Sequence, residues 1–203
     1  MLLIFDLDGT LFQAKPVVLL AVRRLFEELG LPVPDEGAVL KNAGRGAAAM
    51  LAAVLPEGVE ASAAMPLFYK QLRSAILERG ELYAGAKETV RKLYDEGHKL
   101  AICSNSPMIY IELVMKHTGI GEFFALCLSA EGHPSKAVQI GKLLKPGETA
   151  IVIGDTHGDL SAAHENGLKA IAAAYGYGNK DLLKSADYTA HTPEEILDCV
   201  RRL

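Results

Sequence analysis

Two aspartates separated by one residue, in Asp6-Leu7-Asp8-Gly9-Thr10, stand at the end of an apolar run near the start of the chain. On an extended chain alternate side chains project to one side, so both carboxylates are expected to face the same space. Gly9 then permits a tight turn and a close backbone approach. The plain alternative is a strand stop followed by two solvated acids, and a D-x-D-G match alone does not discriminate. A second acidic group, Gly154-Asp155-Thr156-His157-Gly158-Asp159, follows another apolar run. If both runs are strands of one sheet, Asp6, Asp8 and Asp155 meet at its carboxyl edge. Like charges at ~4 Å repel by up to about 4 kcal/mol per pair at an effective dielectric of 20, which a cation among them relieves. All-oxygen ligation points to Mg²⁺.

Two further residues suit a phosphate. Ser104 ends a strand-like run and precedes Asn105-Ser106-Pro107. Ser106 reads as an N-cap and Pro107 as a first helical residue, so Ser104 lies where hydroxyl and backbone N–H groups hold a phosphate oxygen. A capped loop with no ligand is the alternative. Lys136 follows His133-Pro134-Ser135 at the start of a short helical segment. Its point charge suits phosphate and carboxylate neighbours, although a helical lysine is more often solvated.

These residues need a scaffold that brings strand ends together. Apolar runs at 2–7, 99–103, 123–129, 150–153 and 170–174 read as strands covered on both faces. Helical patterns at 86–96, 107–117, 136–145 and 160–166 lie between them, and 186–190 with 193–202 reads as an edge strand and closing helix. This alternation predicts an α/β fold, a doubly wound, mostly parallel, Rossmann-like sheet core. The segment 14–83 breaks the rhythm, with helical patterns at 16–29, 45–55 and 61–79 and no convincing strand. It is expected to be an α-helical cap inserted after strand one, leaving 1–13 and 84–203 as the catalytic core.

Composition limits the partners. The 203 residues are half hydrophobic and 23% charged, with a net charge of −4, so a polyanion such as nucleic acid gains no general attraction. Trp is absent. Three dispersed cysteines, Cys103, Cys127 and Cys199, suggest neither a disulfide framework nor a zinc site. The apolar run before Asp6 is too short for a signal peptide and no stretch suits a membrane span. A cytoplasmic protein acting on a small molecule is expected.

Taken in order, F-D-L-D-G-T-L, Ser104, Lys136 and G-D-T-H-G-D resemble the four motifs of the haloacid dehalogenase-like superfamily. The resemblance implies Asp6 as the nucleophile that forms an aspartyl-phosphate, and Asp8 as the acid and base for leaving group and water. It implies Mg²⁺ held by Asp6, the backbone carbonyl of Asp8 and Asp155, with Asp159 supporting that shell or orienting Lys136. Asp159 also suits an N-cap. Ser104, Asn105 and Thr10 would face the phosphoryl group and Lys136 would offset its charge. The insertion corresponds to a type-one cap. Tyr175-Gly176-Tyr177-Gly178 resembles a turn of phosphoglycolate phosphatase-type members, whose substrates are small phosphorylated metabolites. Ala137 after Lys136, and Phe12-Gln13-Ala14 after the first motif, depart from that group's pattern.

Gly44-Arg45-Gly46 opens a helical pattern in the insertion, and Arg45 is expected to read an anionic or polar leaving group, against a solvated alternative. Lys41 and His157 are weaker candidates. Metal-free dehalogenation is disfavoured by Asp8 and Asp155. A sugar phosphomutase on the same core, or a catalytically idle phosphate-binding protein, remain the competing readings.

Overall fold

The computed structural model describes every residue except Gly44, Arg45, Pro134, Asn179 and Leu203, and the side chains of all others but Lys180, Leu182 and Leu183. The chain divides into two compact units, Met1–Gln13 with Leu82–Leu203, and Ala14–Glu81.

The first unit is built on a six-stranded sheet of β1 (Leu2–Phe5), β2 (Lys99–Ser104), β3 (Phe124–Ser129), β4 (Ala150–Gly154), β5 (Lys169–Ala173) and β6 (Tyr188–Ala190). Its spatial order is β3-β2-β1-β4-β5-β6, and every pairing is parallel. The chain fills one side of β1 and then returns to fill the other. The order therefore reverses between β1 and β4, and ligands of such sheets bind outside the carboxyl ends at that reversal. Phe5 is in register with Ile153, so the residues that follow these two strands start at the same level of the sheet.

Parallel strands need crossovers, and helices supply those between β1 and β5: α5 (Ala86–Asp95), α6 (Met108–Thr118), α7 (Lys136–Leu143) and α8 (His157–Glu165), while α9 (Glu195–Arg201) follows β6. One face of the sheet presents Leu2, Ile4, Ala101, Cys103, Val152, Ala170 and Ala172 to Ile140 and Leu143 of α7 and Leu160, Ala162 and Ala163 of α8. The alanines on both sides allow helix and sheet to approach closely. Leu3, Phe5, Ile102, Ile151, Ile153 and Ile171, the alternate residues of the same strands, are equally buried. That two-sided burial is why these strands read as continuous apolar runs.

The second unit is helical among its described residues, with α1 (Ala14–Glu28), α2 (Glu36–Ala43), α3 (Ala47–Val54) and α4 (Ala61–Arg79). Val17, Ala21, Val22, Leu25 and Phe26 of α1 are buried, as are Phe68, Leu72, Ala75 and Ile76 of α4. Arg24–Glu78 (2.6 Å) and Lys70–Glu28 (3.1 Å) ion pairs link the exposed sides of the same two helices.

Several elements differ from expectation for local reasons. β1 stops at Phe5 rather than residue 7, because Leu7 O accepts the N–H groups of Leu11 and Phe12 (both 2.9 Å) and closes a turn. α1 begins two residues before Pro16, which its first turn tolerates because those N–H groups lack intrahelical acceptors. α2 was not anticipated: it buries only Val39, so it leaves no helical stripe. Its signal is Asp35, whose Oδ1 accepts the Ala38 N–H (3.2 Å) in the manner of an N-cap. α6 starts at Met108, with Pro107 rather than Ser106 as its N-cap. α8 starts at His157, three residues earlier than expected. No helix among the described residues is long and apolar enough to cross a membrane.

Candidate active site

Asp6 leaves β1 with its N–H donating to Ile153 O of β4 (2.8 Å), which fixes it at the strand reversal. Lys136, first residue of α7, lies among these acids. Its Nζ donates to Asp6 Oδ1 (2.6 Å) and to Asp159 Oδ1 (2.5 Å), and all three residues are buried. A lysine at a helix N-terminus opposes the helix dipole, so the two carboxylates are what make this placement tolerable. Ser135 caps α7 by accepting the Val138 N–H (3.3 Å), which sets the lysine's origin.

Asp155 follows β4 and is fully buried. Its Oδ2 accepts the Tyr177 N–H (2.7 Å) and its Oδ1 accepts the Thr10 hydroxyl (3.3 Å). Gly9 has φ +91°, and a Cβ there would overlap Asp155 and the Tyr177 ring. Gly176 is similarly hemmed in by Asp155 and Gly9 O. Two glycines thus let two loops close on one carboxylate. Asp159 lies in the first turn of α8, one turn past the N-cap Thr156, and its Oδ2 accepts that residue's N–H (2.9 Å) and hydroxyl (2.7 Å). The position expected as a cap is therefore the reciprocal partner of the cap.

Asp6, Asp155 and Asp159 each offer a carboxylate oxygen within 4.8 Å of the others. Fully ionised, three carboxylates against one ammonium would leave an uncompensated negative charge of two. Burial, outweighing the Lys136 charge and reinforced by Asp159 and Asp155, holds the Asp6 carboxyl well above its ordinary range. Burial likewise pushes Asp155 up to about 6, against the Tyr177 N–H bond. Burial alone would lower Lys136, but Asp159 and Asp6 outweigh it and hold the ammonium charged above its ordinary value. An all-carboxylate, hard-oxygen set with this residual charge fits a divalent cation.

The Asp8 side chain is not part of that group. β1 ends at Phe5, so Asp8 lies in the turn beyond the strand, where strand alternation does not set its direction. Asp8 accepts the Ser106 hydroxyl at Oδ2 (2.7 Å) and the Tyr110 hydroxyl at Oδ1 (2.7 Å). Burial raises its carboxyl, while the Tyr110 and Ser106 bonds pull it back. Ser104 is buried at the end of β2, its Oγ accepting the Ser106 N–H (3.1 Å), and Asn105 beside it is exposed. Thr10, expected at the phosphate, is fully buried with its hydroxyl on Asp155. His157 Nε2 lies 3.1 Å from Ser161 Oγ, and Lys41 is exposed on α2. Arg45 lies outside the described residues.

Four contributors went unassigned in the sequence: Ser106, Tyr110, Tyr175 and Tyr177. Ser106 precedes the N-cap of α6 and Tyr110 lies in its first turn, so no helical spacing links the two in the sequence. The Tyr175 hydroxyl donates to Thr10 O (2.7 Å) and its ring packs edge-on against Tyr83 (5.0 Å between centroids). Tyr177 acts on Asp155 through its backbone N–H, which no side-chain motif announces.

The arrangement can hold a hard cation beside a carboxylate nucleophile, and move a proton at a separate carboxylate. The profile of haloacid dehalogenase-like hydrolases matches residues 3–173. A phosphoglycolate phosphatase of Pseudomonas putida is 29% identical over all of this chain and 78% of its own length. Another, from Vibrio parahaemolyticus, is 25% identical over 98% of this chain and 95% of its own. The solved structure of a haloacid dehalogenase-like family hydrolase from Streptococcus pneumoniae superposes with a TM-score of 0.84 at 28% identity, covering 98% of this chain and 97% of that one. The sheet order, the acids gathered at its reversal and the length of the match lead to one assignment: the chain belongs to the haloacid dehalogenase-like hydrolase family.

Proposed function

We propose that the chain is a Mg²⁺-dependent phosphatase of small phosphorylated metabolites, of the phosphoglycolate phosphatase type, acting through an aspartyl-phosphate on Asp6. The observation that carries this reading is the convergence of Asp6, Asp155, Asp159 and Lys136 at the strand reversal, four residues from three separate parts of the chain. Asp6, Asp155 and Asp159 would hold the cation, with the Asp8 backbone carbonyl as the further ligand that the family pattern implies. When bound, it supplies charge stabilisation to the phosphoryl oxygens.

In the first half-reaction an Asp6 carboxylate oxygen attacks phosphorus. Asp8, protonated, gives its proton to the departing alkoxide, so the leaving group departs as an alcohol. Ser104, at the end of β2, receives a phosphoryl oxygen, and Lys136 offsets charge on Asp6 and on the transferring group. In the second half-reaction Asp8, now a carboxylate, takes a proton from water as the water attacks phosphorus. Asp6 departs as a carboxylate and phosphate is released. Thr10 and the Tyr177 N–H keep Asp155 in place throughout. The helical unit Ala14–Glu81 serves as the cap that selects the leaving group.

The reading is tested by incubating the protein with phosphoglycolate and a panel of sugar and glycerol phosphates, with Mg²⁺ or with chelator, and measuring free phosphate. Release that needs the metal is expected. Transfer of the phosphoryl group back to the sugar would indicate a mutase, and inactivity across the panel with any divalent metal would reject hydrolysis.

A further inference from the structure

The Asp8 carboxylate has both oxygens engaged by hydroxyl donors from one segment: Ser106 at Oδ2 and Tyr110 at Oδ1, both at 2.7 Å. Neither hydroxyl belongs to a family motif read from the sequence. Their own placement is firmly determined. Ser106 N–H donates to Ser104 Oγ (3.1 Å) and Ser106 O accepts the Ser129 hydroxyl (2.7 Å), so the loop is tied to the ends of β2 and β3. Tyr110 is buried on the first turn of α6, and its ring meets Phe12 edge-on at 6.4 Å between centroids. Two donors on two oxygens fix the plane of a carboxylate, where one donor would leave it free to rotate.

We propose that Ser106 and Tyr110 are positioning residues that hold the Asp8 carboxylate plane for proton transfer to the leaving group, a role resting on the phosphatase reading above. Tyr110 is the rigid member, because packing fixes its ring and leaves its hydroxyl little choice of acceptor. Ser106 is held through its backbone, so its hydroxyl meets the second Asp8 oxygen from a fixed origin. With one lone pair on each oxygen taken by a hydroxyl donor, the remaining lone-pair direction of the carboxyl group stays free to face the leaving oxygen.

This role leaves a signature that general destabilisation does not. An alkyl phosphate needs its leaving oxygen protonated, whereas 4-nitrophenyl phosphate departs as a stable phenolate and does not. kcat/KM reports the steps through formation of the aspartyl-phosphate. Tyr110→Phe and Ser106→Ala are each compared with wild type on both esters. For the alkyl ester kcat/KM is expected to fall about tenfold further than for the aryl ester, a part of the 10²–10⁴-fold typical of general acid catalysis. Ser106→Thr, which returns a hydroxyl, is expected to restore most of the difference. Equal losses on the two esters, or no loss, with an active wild type would overturn the positioning role alone. A wild type inactive on both esters would overturn the phosphatase reading and this role with it.

Discussion

Lys136 Nζ lies 2.6 Å from Asp6 Oδ1, across 130 residues of sequence, in a setting where both side chains are almost wholly withdrawn from solvent. The same ammonium also holds Asp159. Removing it leaves two buried carboxylates facing each other without a counter-charge. Lys136→Met, which keeps the volume, is expected to destabilise the metal-free protein by about 3 kcal/mol, the lower end for breaking a buried pair. Urea unfolding in chelator measures it. Activity should fall at least ~100-fold, as when a charge-stabilising donor is lost.

A cation held by Asp6, Asp155 and Asp159, as proposed, would bind the folded state and not the unfolded chain. At a Mg²⁺ concentration about 100-fold above Kd the stabilisation is about 2.7 kcal/mol. For a chain of this size that raises Tm by about 5–10 °C. Thermal unfolding with and without Mg²⁺ reads the shift without reference to activity. In Asp155→Ala the shift should vanish, and its persistence would remove Asp155 from the ligand set.

Gly9 carries a positive φ, and a Cβ at this position would strike Asp155 and the Tyr177 ring. Gly9→Ala is expected to cost about 2 kcal/mol through backbone strain alone. Displacement of Asp155 should also lower the Mg²⁺-induced Tm shift. A variant that unfolds at the wild-type urea concentration would contradict the tight closure of the two loops.

Away from the site, Asp187 accepts the Ala170 N–H (2.9 Å) and approaches His164 Nε2 (3.1 Å), joining the start of β5 to α8. Partial burial opposes its charge, but the Ala170 and His164 contacts outweigh that and hold the carboxyl below its ordinary range. As pH falls, the unfolded chain takes up this proton first, so the carboxylate's contribution is complete above the unfolded value of about 4 and disappears below the lower folded value. Asp187→Ala should lose about 1 kcal/mol at pH 7, a hydrogen bond's worth, and the gap to wild type should narrow as pH falls below about 4. A gap that widens with acid would contradict the sign.

Much of the core was legible because β1, β2 and β4 are buried on both faces and their residues carry that fact as unbroken apolar runs. Asp6, Ser104, Asp155 and Lys136 were legible because each stands at the junction of such a run, or of a helix start, with a polar loop. Asp8 was read less well. Period-two geometry holds inside a strand, and β1 ends one residue before Asp6. The roles of Ser106 and Tyr110 depend on which way the Asp8 turn points, a tertiary fact absent from local pattern. α2 was missed because a helix burying one residue has no periodicity to detect. Tyr177 was invisible as a ligand holder because its contribution is a backbone N–H, common to nearly every residue.

The proposed mechanism requires covalent attachment of phosphate to Asp6. An acyl phosphate is reduced by borohydride to the alcohol, so quenching the working enzyme with borohydride converts a phosphorylated aspartate into homoserine. Peptide mass analysis after turnover of a phosphate ester with Mg²⁺ should find homoserine at position 6, and none when substrate is omitted. Modification at any other carboxylate, or an unmodified Asp6 in enzyme caught during rapid turnover, would contradict it.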